Sequence, residues 1–234
     1  MKNTEIIFLE ISDSSDSIDK NLLRFVSNER QERIKKYRFD IDQKLSMYSE
    51  LINKYKIYKE LKLLDNEITF STNQKGKPFL LNHSNFQFNI SHTRNALVVA
   101  FSNEEVGIDI ESIKLFDMQI ANRFFTSAEQ DYIISHKDQN YAFYDIWTKK
   151  EAYIKYIGTG LSTPLNSFNV LDNSINSMFH TYTINNYIVS LCMNESTSDK
   201  PKLIVTKEED LCLIFSDQED LKLQFTPCQD SRRK

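Results

Sequence analysis

Asp109 and Glu111 stand two residues apart in the apolar run Val106-Gly107-Ile108-Asp109-Ile110-Glu111. Strand side chains alternate with period two, so a strand here carries both carboxylates on one face. A third acid, Glu151, lies in the run Trp147-Thr148-Lys149-Lys150-Glu151-Ala152-Tyr153-Ile154-Lys155. That run reads as helix, which puts Glu151 and Lys155 on a shared face at i, i+4. Two acids from a strand and one from a helix are hard oxygen ligands suited to Mg²⁺. This ion takes one or two carboxylates and fills its shell with water and substrate phosphate. The chemistry indicated is therefore phosphate chemistry. Each part also has an ordinary reading: a strand edge facing solvent, and a surface Glu–Lys pair worth only about 0.2–0.5 kcal/mol.

The elements that must hold these groups follow from periodicity and punctuation. Residues 5–11 read as an opening strand. After the polar turn 12–17, Asp16 or Ser17 is placed to cap a helix reaching about residue 27. A basic stretch follows, with Arg30, Arg33, Lys35, Lys36 and Arg38. From Asp40 or Asp42, apolar residues Ile41, Leu45, Tyr48, Leu51, Ile52, Tyr55, Tyr58 and Leu61 recur every three or four positions. This predicts a long amphipathic helix with Lys and Glu on its solvent flanks. Residues 68–71 and 86–90 read as short strands around the turn Gly76-Lys77-Pro78. Residues 96–102 and 106–111 read as an antiparallel hairpin across Asn103-Glu104-Glu105. Helices are expected over 127–135 and 141–157, and strands over 168–170, 178–184, 187–193, 203–206 and 211–215. The end, 229–234, is polar. Helices and strands mix without βαβ alternation, so the expected class is α+β with mostly antiparallel sheets.

Composition narrows the function classes. The 234 residues suffice for one large domain or two small ones, and a formal charge of −4 gives no basic footprint for nucleic acid. Cys192, Cys212 and Cys228 are odd in number and widely spaced, which reads as reduced thiols and not a disulfide frame or zinc site. No apolar run has the length of a membrane span or the make-up of a signal segment, so the expected location is cytoplasmic. Only four glycines occur, where average usage would supply about sixteen. They are Gly76, Gly107, Gly158 and Gly160, each in or beside a segment suspected of chemistry.

The order of the motifs is more specific than any one of them. Gly76-Lys77-Pro78 is followed by Asn89-Ile90-Ser91-His92, then Gly107-Ile108-Asp109-Ile110-Glu111, then Trp147 to Lys155, then Gly158-Thr159-Gly160-Leu161. Together with the basic stretch ahead of them, this set resembles the Sfp-type 4′-phosphopantetheinyl transferase family from about Arg30 to Phe168. The resemblance implies Mg²⁺-dependent transfer of the 4′-phosphopantetheine arm of coenzyme A to a serine of a carrier protein, with release of adenosine 3′,5′-bisphosphate. It implies a monomeric pseudo-dimer of two similar α+β halves, with coenzyme A in the cleft between them. Those halves would be 1–105, with the coenzyme A-binding elements, and 106–234, with the metal-binding carboxylates.

The resemblance also implies roles. Asp109, Glu111 and Glu151 hold Mg²⁺, for which Mn²⁺ is an alternative. Glu151 is in addition the candidate general base, and Lys155 neutralises charge on the pyrophosphate. Ser91 and His92 bind the nucleotide-side phosphates, His92 at the 3′-phosphate, with Arg33, Lys36, Lys44 and Lys77 as further cationic contacts. Leu45 and Ser46, after Lys44, depart from the family's richer set of basic residues. The carrier could belong to fatty-acid, polyketide or nonribosomal-peptide synthesis. Phe116, Phe124 and Phe125 are candidates for docking it as well as for core packing. The carboxylates alone also permit a Mg²⁺ nuclease or phosphohydrolase, or a carrier-binding module without catalysis.

Overall fold

A computed structural model describes residues 4–12, 20–194 and 200–217. Strand β1 (Glu5–Glu10) is followed by α1 (Lys20–Leu23), α2 (Asn28–Ile34) and α3 (Asp40–Leu61). Then come β2 (Phe70–Thr72), β3 (Pro78–Leu80), β4 (Gln87–Thr93), β5 (Ala96–Ser102) and β6 (Val106–Ser112). Helices α4 (Met118–Phe124), α5 (Ser127–Ser135), α6 (Gln139–Ile157) and α7 (Asn173–Asn176) precede β7 (Phe179–Ile184), β8 (Tyr187–Met193), β9 (Lys202–Thr206) and α8 (Glu208–Asp217). The α+β class holds. The sheets run β4-β5-β1-β9, β2-β3 and β6-β8-β7. The caps proposed at Asp16 and Ser17, Cys228 and the polar end lie outside the described residues.

Among the described residues there are two compact units, and they cut the chain elsewhere than at 105. One draws on residues 4–8, 70–93, 98–194 and 200–204; the other on 9–12, 20–69, 94–97 and 205–217.

In the first unit, β6 pairs antiparallel with β8 from Val106↔Met193 to Ser112↔Tyr187, and β8 pairs with β7. Helix α6 covers this sheet. Its N-cap Asp138 accepts from Tyr141 N, and Gly158 ends it in the left-handed region at φ 66°. The side of α6 bearing Phe143 and Trp147 packs with Phe116, Phe124 and Phe125 in an aromatic cluster. These rings therefore belong to packing. Beneath α6 a buried ion pair joins Lys150 Nζ to Glu129 Oε2 at 2.8 Å, both side chains fully shielded from water.

In the second unit, α3 is buried on all sides from Lys44 to Lys54. Its charged flanks, expected in solvent, are internal and paired. Glu50 accepts from Ser27 N at 2.6 Å and Arg30 Nε at 3.2 Å, and it pairs with Lys54 at 3.1 Å. Phe25 and Phe215 pack in the same unit with ring centroids 5.3 Å apart.

Three sequence expectations are corrected. Strands β5 and β6 are not a hairpin: β5 lies between β4 and β1, while β6 belongs to the other sheet beside β8. Both edges of β5 are paired, to β4 and β1, so neither is left for β6. Residues 168–170 form no strand, because Phe168 O accepts from Lys150 and Val170 N donates to Glu129, which removes groups a ladder would need. Residues 211–215 lie in helix α8. Glu208, Glu209 and Asp210 occupy its first turn, where acids suit the helix dipole, and Leu211 and Phe215 bury one face at i, i+4.

Candidate active site

Gly107 sets the geometry of the acids. A Cβ at this position would run into the carbonyl oxygen of Ala152 and the amide of Tyr156, both backbone atoms of α6. The helix therefore lies directly on β6, and the side chains next to Ala152 and Tyr156 are delivered to that strand. These are Glu151 and Lys155. A second contact fixes the helix along its axis. Thr148 donates to Tyr144 O at 2.8 Å and meets Ser190 Oγ at 2.8 Å. Ser190 is the cross-strand partner of Asp109.

Lys155 Nζ lies 2.7 Å from Asp109 Oδ1 and donates to Ser91 Oγ at 2.8 Å. Ser91 in turn donates to the same Asp109 Oδ1 at 2.7 Å. Asp109 is buried, and its other oxygen, Oδ2, has no hydrogen-bond partner among the described residues. An unsatisfied anionic oxygen in a shielded position is costly unless something else meets it. Glu111 and Glu151 are held above the usual carboxylate range, first by burial and next by the charge of Asp109. All three acids thus share one field. Thr93 Oγ1 reaches Glu111 Oε2 at 3.4 Å, and Asn89 Oδ1 accepts from Ile108 N at 2.9 Å.

This donor set fits a divalent cation. It offers a bare buried carboxylate oxygen with two further carboxyls whose charged forms burial and Asp109 disfavour, a cost that a nearby cation would offset. Among the described residues, no three His, Cys, Asp or Glu side chains converge into a ready cage. Mg²⁺ draws only one or two carboxylates from the protein, so a cage is not what it requires.

The cationic candidates divide. Lys77 does not face outward. Its Nζ pairs with Glu105 at 2.6 Å and donates to Val106 O at 3.1 Å and Tyr156 O at 3.3 Å, bracing β6 and the last turn of α6. His92 is exposed while Ser91 is buried, as adjacent residues of one strand must be when one face is covered. The other unit contains Arg33, Lys36 and Lys44. Arg33 is exposed and donates to Tyr37 Oη at 3.2 Å, and Lys36 is exposed. Lys44 is buried and lies 3.4 Å from Glu208, which also accepts from Ser12 and Tyr48. Sequence reading does not single out Thr93. Alternation along β4 carried the signal, because Asn89, Ser91 and Thr93 necessarily share a face.

A family model described as 4′-phosphopantetheinyl transferase superfamily matches residues 105–209. One described as 4′-phosphopantetheinyl transferase, N-terminal, matches residues 14–104. The 4′-phosphopantetheinyl transferase ffp of Bacillus subtilis is 36% identical over 166 residues, covering 70% of this chain and 74% of that relative. The 4′-phosphopantetheinyl transferase gsp of Aneurinibacillus migulanus is 31% identical over 233 residues, covering 91% of this chain and 95% of its own length. The human L-aminoadipate-semialdehyde dehydrogenase-phosphopantetheinyl transferase is 37% identical over 160 residues, covering 61% of this chain and 52% of its own. The chain belongs to the 4′-phosphopantetheinyl transferase superfamily, and with membership comes an enzymatic activity: Mg²⁺-dependent transfer of 4′-phosphopantetheine from coenzyme A to a carrier-protein serine.

Proposed function

We infer that this transfer is carried out at Asp109, Glu111, Glu151 and Lys155. The single observation behind the assignment is the buried, unpartnered Oδ2 of Asp109, whose Oδ1 is already held by Ser91 and Lys155. Asp109, Glu111 and Glu151 are the residues that would hold Mg²⁺. When bound, the ion would neutralise pyrophosphate oxygens as the phosphorus–oxygen bond to the adenosine 3′,5′-bisphosphate leaving group breaks.

The other roles belong to the chain itself. The incoming serine must lose its proton as its oxygen bonds to phosphorus. Glu151, whose proton affinity is raised by burial and by Asp109, is the candidate to take that proton. Lys155 carries a fixed positive charge beside Asp109 and can meet charge that builds on the transferred phosphate. His92, exposed on β4, is the candidate for the 3′-phosphate, and the exposed Arg33 and Lys36 are further candidate contacts for coenzyme A. Lys44 and Lys77 are weaker candidates, since both amines are already paired within their own units.

In this reading residues 1–105 supply the nucleotide-side contacts and 106–234 the acids. The protein acts as a cytoplasmic monomer on acyl, peptidyl or aryl carriers. Among the described residues, no helix is long and apolar enough to cross a membrane. The test is mass spectrometry of a panel of apo carriers incubated with coenzyme A and Mg²⁺. The expected result is the phosphopantetheine mass gain on at least one carrier, lost with Asp109→Ala or on chelation. Full labelling by Asp109→Ala would overturn the site.

A further inference from the structure

Ser91 has a single hydroxyl proton, and the structure commits it. The Oγ donates to Asp109 Oδ1 at 2.7 Å and accepts from Lys155 Nζ at 2.8 Å. A phosphate oxygen is an acceptor, so it needs a proton that this hydroxyl has already given away. The family reading, which puts the Ser91 side chain on a coenzyme A phosphate, does not match this arrangement.

A wider pattern surrounds it. Strand β4 belongs to one sheet and β6 to another, yet alternate residues of β4 address the strand bearing the acids, step by step. Asn89 Oδ1 takes the Ile108 amide, Ser91 donates to Asp109, and Thr93 reaches Glu111. Both strands advance with period two, so a row of polar side chains on β4 matches the row of acids on β6. Asn89 anchors the register through backbone. Ser91 then pins one oxygen of Asp109 and leaves Oδ2 directed elsewhere and unpaired.

We propose that Ser91 is a positioning residue of the metal site: its hydroxyl, with Lys155, holds Asp109 by Oδ1 so that Oδ2 is presented to the divalent cation. Thr93 gives Glu111 the same support over a longer reach. The proposal rests on the metal role assigned to Asp109 above. Partners of this kind orient ligands, and their removal typically weakens metal affinity about 10–100-fold.

The experiment measures Mn²⁺ binding to the full chain without coenzyme A, by electron paramagnetic resonance. The Michaelis constant for coenzyme A at saturating Mn²⁺ is measured alongside. Ser91→Ala is expected to raise the Mn²⁺ dissociation constant about tenfold or more and to leave the coenzyme A constant within about twofold. Ser91→Thr, which keeps the hydroxyl, is expected to restore Mn²⁺ affinity, which also separates positioning from damage to the fold. His92→Ala is expected to do the reverse, raising the coenzyme A constant without changing Mn²⁺ affinity. Unchanged Mn²⁺ affinity in Ser91→Ala with a raised coenzyme A constant would overturn the proposal and make the hydroxyl a phosphate ligand. Asp109→Ala distinguishes the two levels. If it binds Mn²⁺ as wild type does, the metal reading falls; if it loses Mn²⁺ while Ser91→Ala does not, only the positioning role falls.

Discussion

Gly107 and Ala152 leave no room for a side chain between them, because the Ala152 carbonyl occupies the space that a Cβ on residue 107 would take. Backbone lies on backbone there, and Glu151 and Lys155 flank the contact. Gly107→Ala must push α6 off β6, since neither the Ala152 carbonyl nor the Tyr156 amide can swing aside like a flexible side chain. Overpacking of this kind costs about 1–3 kcal/mol. Thermal unfolding should record that loss, and carrier labelling should fall further than stability does, because Lys155 leaves Asp109. A variant as stable and active as wild type would mean that the helix contact does not set the site.

Glu111 and Glu151 make a prediction about pH. Burial and the charge of Asp109 raise both carboxyls above their unfolded values. The folded chain therefore keeps protons that the unfolded chain has released. Their stabilising contribution is complete below the unfolded carboxylate pKa, about 4.3 for Glu, and is lost as pH rises through the folded values. Glu111→Gln removes one such group. Without metal, its melting temperature should gain on wild type as pH climbs from about 4 towards 7. Mg²⁺ should then raise the wild-type melting temperature more than that of the variant. A pH-independent gap between the two proteins would contradict the assignment.

Much of the site was legible because it rests on local periodicity. Alternation puts Asp109 and Glu111 on one face, and the i, i+4 spacing of Glu151 and Lys155 survives in α6. What sequence could not show is pairing between distant segments. The pattern at 96–111 fits a hairpin, yet β6 pairs with β8, some eighty residues further on. Residues 211–215 are as apolar as a strand, and what starts a helix instead is the acids at 208–210, which suit the helix dipole and of which Asp210 accepts from Lys207 N at 3.0 Å. Lysines posed a harder problem. In sequence, Lys44 and Lys77 are candidate contacts for coenzyme A and Lys54 lies on a helix flank expected in solvent, whereas here these amines and that of Lys150 are each drawn to a carboxylate within their own unit.

Lys150 shows how costly such a pair is to break. Its amine lies 2.8 Å from Glu129, 2.7 Å from Leu165 O and 2.8 Å from Phe168 O, and Glu129 also accepts from Val170 N. Removing one partner leaves a buried charge with no counter-charge, a loss of about 3–5 kcal/mol. Lys150→Met should unfold at correspondingly lower denaturant. Adding Glu129→Gln should recover part of that loss, since the second substitution removes the stranded charge. If the double variant were as unstable as the two singles added together, the pair would not be coupled.

Lys77 and Lys36 should separate in the opposite sense to what their shared charge suggests. Lys77 spends its protons on Glu105 and on the carbonyls of Val106 and Tyr156, the latter in the last turn of α6 where a cation suits the helix dipole. Lys36 is exposed. Lys77→Ala should therefore destabilise the protein without coenzyme A by about 0.5–1.5 kcal/mol, the net worth of hydrogen bonds to part-buried carbonyls. Lys36→Ala should stay within about 0.5 kcal/mol of wild type, as surface changes do. The Michaelis constant for coenzyme A should move the other way, rising several-fold for Lys36→Ala while Lys77→Ala acts mainly on stability. Denaturant melts of both variants, paired with steady-state labelling, read the two effects separately. A Lys77→Ala protein of wild-type stability with a sharply raised coenzyme A constant would return Lys77 to the phosphate and remove it as the brace between β6 and α6.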